Sequence, residues 1–66
     1  MHVEILLKQV RQREKVTLNR LSEKSGISTT HINDIENNIK GPSLLVMIRL
    51  AKALDVEITE LYKVKW

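Results

Sequence analysis

Residues 17–36 read TLNRLSEKSGISTTHINDIE. Thr17 is a good N-cap, Gly26 supplies the left-handed conformation that ends a helix, and Ser28 caps again. The spacing predicts two short helices joined by a tight glycine turn. Val16 and Leu21 stand at hydrophobic-staple positions, and Ile27 and Ile32 repeat that spacing. Arg20 occupies the place where a full capping box carries Glu, so the box is absent. Ile32 and Ile35 define the inward side of the second of these helices. Its other positions are small and polar, so one face packs and the other is left free.

Outward from this stretch the chain continues as helices and short turns. Val3, Leu6, Leu7 and Val10 follow the helical period and predict a first helix over about residues 4–14. The segment 37–42, NNIKGP, is rich in turn formers and reads as a loop. Ser43 caps a helix over about 44–54 that is apolar around much of its circumference, with Arg49 and Lys52 marking the wet side. That helix is expected to be the central one. A fifth, short helix is expected near 58–62, with Ile58 and Leu61 inward. Five helices and no credible sheet give an all-α fold.

The bulk properties narrow the function classes. At 66 residues the chain is one domain, 1–66. It has no Cys, and its two His stand far apart, so neither disulfides nor a zinc site is expected. No apolar run approaches the roughly 20 residues of a membrane span, and no signal-peptide pattern opens the chain. A cytoplasmic protein without cofactor, membrane or evident small-molecule ligand is expected. No nucleophile–base pair, metal set or phosphate loop is present, so an enzyme is not expected. The formal charge is +3, and the excess lies entirely within residues 1–24. That is compatible with a polyanionic partner, and equally with an ordinary solvated surface.

A helix pair of the kind predicted over 17–36 can seat its second helix in a DNA major groove. The chain also resembles the Xre/Cro-type helix-turn-helix domains of phage repressors and bacterial regulators. Their pattern reads approximately T-Q-x-x-L-A-x-x-x-G-[VI]-S-x-x-x-[IV]-x-x-[IL]-E, then a loop, P-[ST], and an A-x-A-L-[GD]-V helix end. This chain supplies Thr17, Leu21, Gly26, Ile27, Ser28, Ile32, Ile35, Glu36, Pro42, Ser43, Ala51, Ala53, Leu54 and Val56, with Arg11 before the second helix. The resemblance covers about residues 5–62. It implies a compact five-helix, lambda-repressor-like domain. Leu18 stands where the family often has Gln, and it cannot make that residue's hydrogen bonds. Ser22 replaces the usual small Ala.

The resemblance implies that the third helix faces base edges through Thr29, Thr30, His31, Asn33 and Asp34. Their chemistry suits the task. Asn can bond adenine N6 and N7, Asp can accept from cytosine N4, and Thr can meet a thymine methyl. Without the resemblance, these residues also suit any exposed, capped helix start. The third helix has no Lys or Arg, so phosphate contacts are expected from helix starts at Thr17, Ser28 and Ser43, and the resemblance implies further ones from Asn37, Asn38 and Lys40. Arg13 and Lys15 are candidates for phosphate contacts or for plain solvated surface. The resemblance further implies a partly buried ion pair, Arg11 with Glu36, that orients the reading helix.

One module buries little surface on DNA, so a homodimer on a two-fold operator is expected. Tyr62, Val64 and Trp66 alternate with Lys63 and Lys65, a period-2 pattern that predicts an extended tail. Leu61, Tyr62, Val64 and Trp66, within 58–66, are the candidate dimer contacts. The alternative is that Trp66 folds back onto its own core. The expected function is a sequence-specific, double-stranded-DNA-binding transcriptional regulator, a repressor. The competing reading is a protein-interaction module of the same fold, an antitoxin or antirepressor-type partner.

Overall fold

The computed structural model describes residues 1–39 and 41–66. Strand β1 (His2–Ile5) leads into helix α1 (Leu7–Arg13). Helices α2 (Leu18–Ser25), α3 (Thr29–Glu36) and α4 (Leu44–Leu54) follow. A 3-10 turn (Ile58–Glu60) then leads into strand β2 (Tyr62–Lys65).

The three predicted caps account for the three central helix starts. Thr17 Oγ1 accepts from Arg20 N at 3.1 Å, Ser28 Oγ from His31 N at 3.1 Å and Ser43 Oγ from Val46 N at 3.2 Å. Each satisfies one of the N–H groups that a helix start leaves unpaired. Gly26 ends α2 at φ +74°. Its N–H donates to Ser22 O at 2.9 Å, and Ser25 Oγ accepts from Ile27 N at 3.1 Å across the same turn. Ser25 is the buried polar residue among the described ones, and this bond is what makes its burial tolerable.

The core is one cluster. Leu7, Leu21, Ile32, Ile35, Leu50 and Leu61 are fully buried, with Val10, Ile27, Met47, Ala51 and Leu54 around them. Every helix contributes, and α4 contributes the most residues. Leu18 lies half-buried against this cluster, so its apolar side chain has a packing role in place of a polar contact.

Several expectations about the ends of the chain are corrected. The first helix begins at Leu7, because residues 2–5 form a strand paired antiparallel with β2, in the register His2–Lys65, Val3–Val64, Glu4–Lys63 and Ile5–Tyr62. Leu6 N extends that ladder to Leu61 O at 2.8 Å. The described residues are therefore helical but not all-α, with four α-helices and a two-stranded ribbon. The expected fifth helix is the 3-10 turn, closed by Glu57 N donating to Glu60 Oε2 at 3.0 Å. Leu61 is fully enclosed in its own core, which removes it from the candidate dimer contacts. Trp66 does not fold back, being 94% exposed.

Candidate nucleic-acid interface

Helix α3 is anchored on one side and open on the other. Successive residues turn by about 100° around a helix axis. Ile32, Ile35 and the Glu36 side chain share the inward side, so Thr30 and Asp34 fall opposite. Asn33 and His31 stand on the two flanks, and Thr29 lies between Asn33 and the Glu36 edge. Thr30 and Asn33 are exposed, whereas Thr29, His31 and Asp34 are half-buried. The five predicted readers thus lie on one helix, with Thr30 and Asn33 presented furthest. The row offers hydroxyl, amide and carboxylate groups and no cation.

The frame behind α3 is held by charge. Arg11 Nε donates to Glu36 Oε2 at 2.6 Å and its Nη2 to Glu36 Oε1 at 3.2 Å. Its Nη1 donates to Val16 O at 3.1 Å. One guanidinium therefore ties α1, the end of α3 and the α1–α2 connection. The planar fork matches both carboxylate oxygens, a geometry Lys cannot reproduce. Only 14% of the Arg11 side chain and 4% of the Glu36 side chain is exposed.

The proposed phosphate contacts are mixed in kind. Thr17, Ser28 and Ser43 are exposed, but each hydroxyl oxygen is already engaged as a cap acceptor. What they still offer an anion is the O–H hydrogen, beside the free N–H groups of the same helix turn. Asn37 caps the end of α3, and Asn38 follows in the left-handed region at φ 58°. Both are exposed. Lys40 lies outside the described residues.

Cations elsewhere divide into committed and free. Arg13 donates to Glu14 at 2.9 Å and to Glu60 at 2.8 Å, which ties α1 to the 3-10 turn and draws it away from a phosphate role. The bond from Arg13, with a second from the Glu57 N–H, holds the Glu60 carboxyl below its ordinary carboxylate value. Lys65 Nζ pairs with Glu4 at 2.8 Å across the ribbon and lowers the Glu4 carboxyl in the same way. Among the described residues, Lys8, Lys15, Lys24, Arg49, Lys52 and Lys63 form no ion pair. Sequence reasoning missed the place of Arg49. Its guanidinium lies beside the Gly26 turn, 3.2 Å from where a Cβ on that glycine would stand. The absence of a side chain at Gly26 was the available signal.

Two capped helices around a left-handed glycine, with the second presented outward, define a helix-turn-helix unit. Residues 7–61 match the model of the helix-turn-helix family, and the chain belongs to that family. It is 35% identical over 57 residues to an uncharacterized HTH-type transcriptional regulator of Sinorhizobium fredii, covering 86% of this chain and 29% of that protein. An uncharacterized HTH-type transcriptional regulator of Mycobacterium tuberculosis is 32% identical over 56 residues, covering 85% of this chain and 40% of that protein. The chain thus spans well under half of each of these relatives. The fold superposes on the restriction-modification controller protein C.AhdI of Aeromonas hydrophila with a TM-score of 0.78, at 28% identity over 82% of both chains. It superposes on the N-terminal DNA binding domain of SinR from Bacillus subtilis with a TM-score of 0.73, at 30% identity over 80% of this chain and 78% of that one.

Proposed function

We propose that this chain binds double-stranded DNA in a sequence-specific way and serves as a transcriptional regulator, a cytoplasmic repressor acting as a homodimer on a two-fold operator. The observation that carries the reading is the outward row of α3. Thr30 and Asn33 stand exposed, with Asp34 half-buried beside them, on a helix whose other side is fixed by Ile32, Ile35 and the Arg11–Glu36 pair. A rigid helix with free amide, hydroxyl and carboxylate groups is what base-edge readout in the major groove requires. Likeness to regulators and to a DNA binding domain supports the same reading.

In this account Asn33 bonds an adenine edge and Asp34 accepts from a cytosine N4. Thr29 and Thr30 read thymine methyls or acceptors, and His31 donates to guanine or to a phosphate. Thr17, Ser28, Ser43, Asn37 and Asn38 fix the register on phosphates, as does Lys40. An α3 without a cation also suits a protein-interaction module, which would bind DNA weakly or not at all. Fluorescence anisotropy with a labelled duplex, repeated over a salt series, separates the two. A DNA reader loses affinity steeply as salt rises, because neutralised phosphates release counterions. Absence of DNA binding even at low salt overturns the proposal and leaves the protein-interaction module.

A further inference from the structure

We infer that the apolar groove between the ribbon and α4 receives Trp66 of a second copy, and that this docking braces the loop between α3 and α4. The inference rests on the homodimer reading above and gives the dimer its contact.

The register of the ribbon sorts its side chains. Val3 faces Val64 and Ile5 faces Tyr62 across the strands, so these four share one face, while His2, Glu4, Lys63 and Lys65 share the other. The apolar face opens into a groove of about 610 Å³, lined mainly by Val3, Ile5, Pro42, Leu44, Met47 and Tyr62. That size lies within the range of sites that enclose small molecules, and it exceeds what one indole fills. Val3 is 52% exposed and Leu44 70%, so the groove stands uncovered in the single chain.

Trp66 continues the alternation of Tyr62 and Val64 and therefore belongs to the same face. It projects beyond the last ribbon pair and is 94% exposed. Four residues of extended chain place it about 13 Å from Tyr62. Pairing of Lys65 with His2 holds it away from its own groove. A two-fold axis at the Val3–Val64 pair removes that separation. It carries each Trp66 over Tyr62 and Ile5 of the other copy. The contact is then isologous, with the same knob and groove used twice.

Two buried tryptophans supply on the order of 400 Å². The rest of the roughly 1,200 Å² needed by a specific interface has to come from the facing ribbons, where Val3 is 52% and Val64 36% exposed, and from Leu44, 70% exposed. The groove is also bordered by Asn38, Gly41 and Pro42. An indole seated there packs on the loop that leads to the Ser43 cap. Dimerisation and the phosphate grip of Asn38 and Ser43 therefore strengthen each other.

Trp66 is the single tryptophan of the chain, so its emission reports its own burial. With rising concentration the emission is expected to move to shorter wavelength, in step with monomer-to-dimer conversion in sedimentation. Trp66→Ala should weaken dimerisation about tenfold or more. Leu44→Asp, at an exposed position that leaves helicity unchanged by circular dichroism, should abolish both the dimer and the emission shift. A chain that stays monomeric at every concentration overturns the inference. So does a dimer whose Trp66 emission stays solvent-like, or one that Trp66→Ala leaves equally tight. DNA binding is scored separately. DNA binding with a solvent-exposed Trp66 sinks the docking and spares the function. A Trp66-buried dimer that ignores DNA does the reverse.

Discussion

Replacing Glu36 by Ala is the sharpest perturbation of the frame. It leaves the Arg11 guanidinium, 14% exposed, with Val16 O as its remaining partner. Exposed ion pairs contribute about 0–1 kcal/mol. Removing one partner of a buried pair costs about 3–5 kcal/mol, because the other charge stays desolvated. This pair lies close to the buried limit and is bidentate, so a loss of about 3 kcal/mol is expected. A chain of this size has a total stability of about 3–10 kcal/mol. The loss is therefore a large fraction of the whole. It corresponds to a fall in Tm on the order of 15 °C. Urea unfolding followed by circular dichroism measures it. The double replacement Arg11→Met with Glu36→Leu removes both charges and should recover much of the loss. A single-variant loss below about 1 kcal/mol would refute the claim that this pair acts as a desolvated clamp.

Gly26→Ala should destabilise by about 1–2 kcal/mol, because φ is +74° there; the Arg49 guanidinium can swing clear, so backbone strain dominates. The same urea titration checks it. Asn33→Ala should weaken binding to a selected operator by about 1–3 kcal/mol while leaving binding to random DNA unchanged. Equal losses on both would make Asn33 a phosphate contact. Acidification should loosen the ribbon. The Glu4 carboxyl is held below its ordinary value by its bond to Lys65, so the stability it contributes is present above the unfolded carboxylate range and fades as pH falls through the lowered folded value. Amide protection factors at Glu4 and Lys63, taken against the intrinsic exchange rate at each pH, read this.

The central helices were legible because their signals are local. Thr17, Gly26, Ser28 and Ser43 announce themselves within one turn of the bonds they make. Ile32 and Ile35 fix the inward side of α3, and from it the outward row. The ribbon was half legible. Alternation over 62–66 is a strand signal, but its partner sits at the opposite end of the chain. There Val3, Leu6, Leu7 and Val10 fit a helical period as well as Val3 and Ile5 fit a strand. Only the pairing with Tyr62 and Val64 decides between them. Leu61 follows the same logic. Its apolar character suited an interface or a core equally, and its complete burial places it inside.

The most direct measurement is selection of bound duplexes from a random DNA pool by this chain, with Asn33→Ala run in parallel. The account predicts an enriched two-fold sequence, its half-sites centred about 10 base pairs apart or a multiple of that, with preference at the Asn33 position relaxed in the variant. A pool that emerges without enrichment, or one whose enrichment is unchanged by Asn33→Ala and by substitutions at Thr30 and Asp34, would contradict the claim that α3 reads DNA.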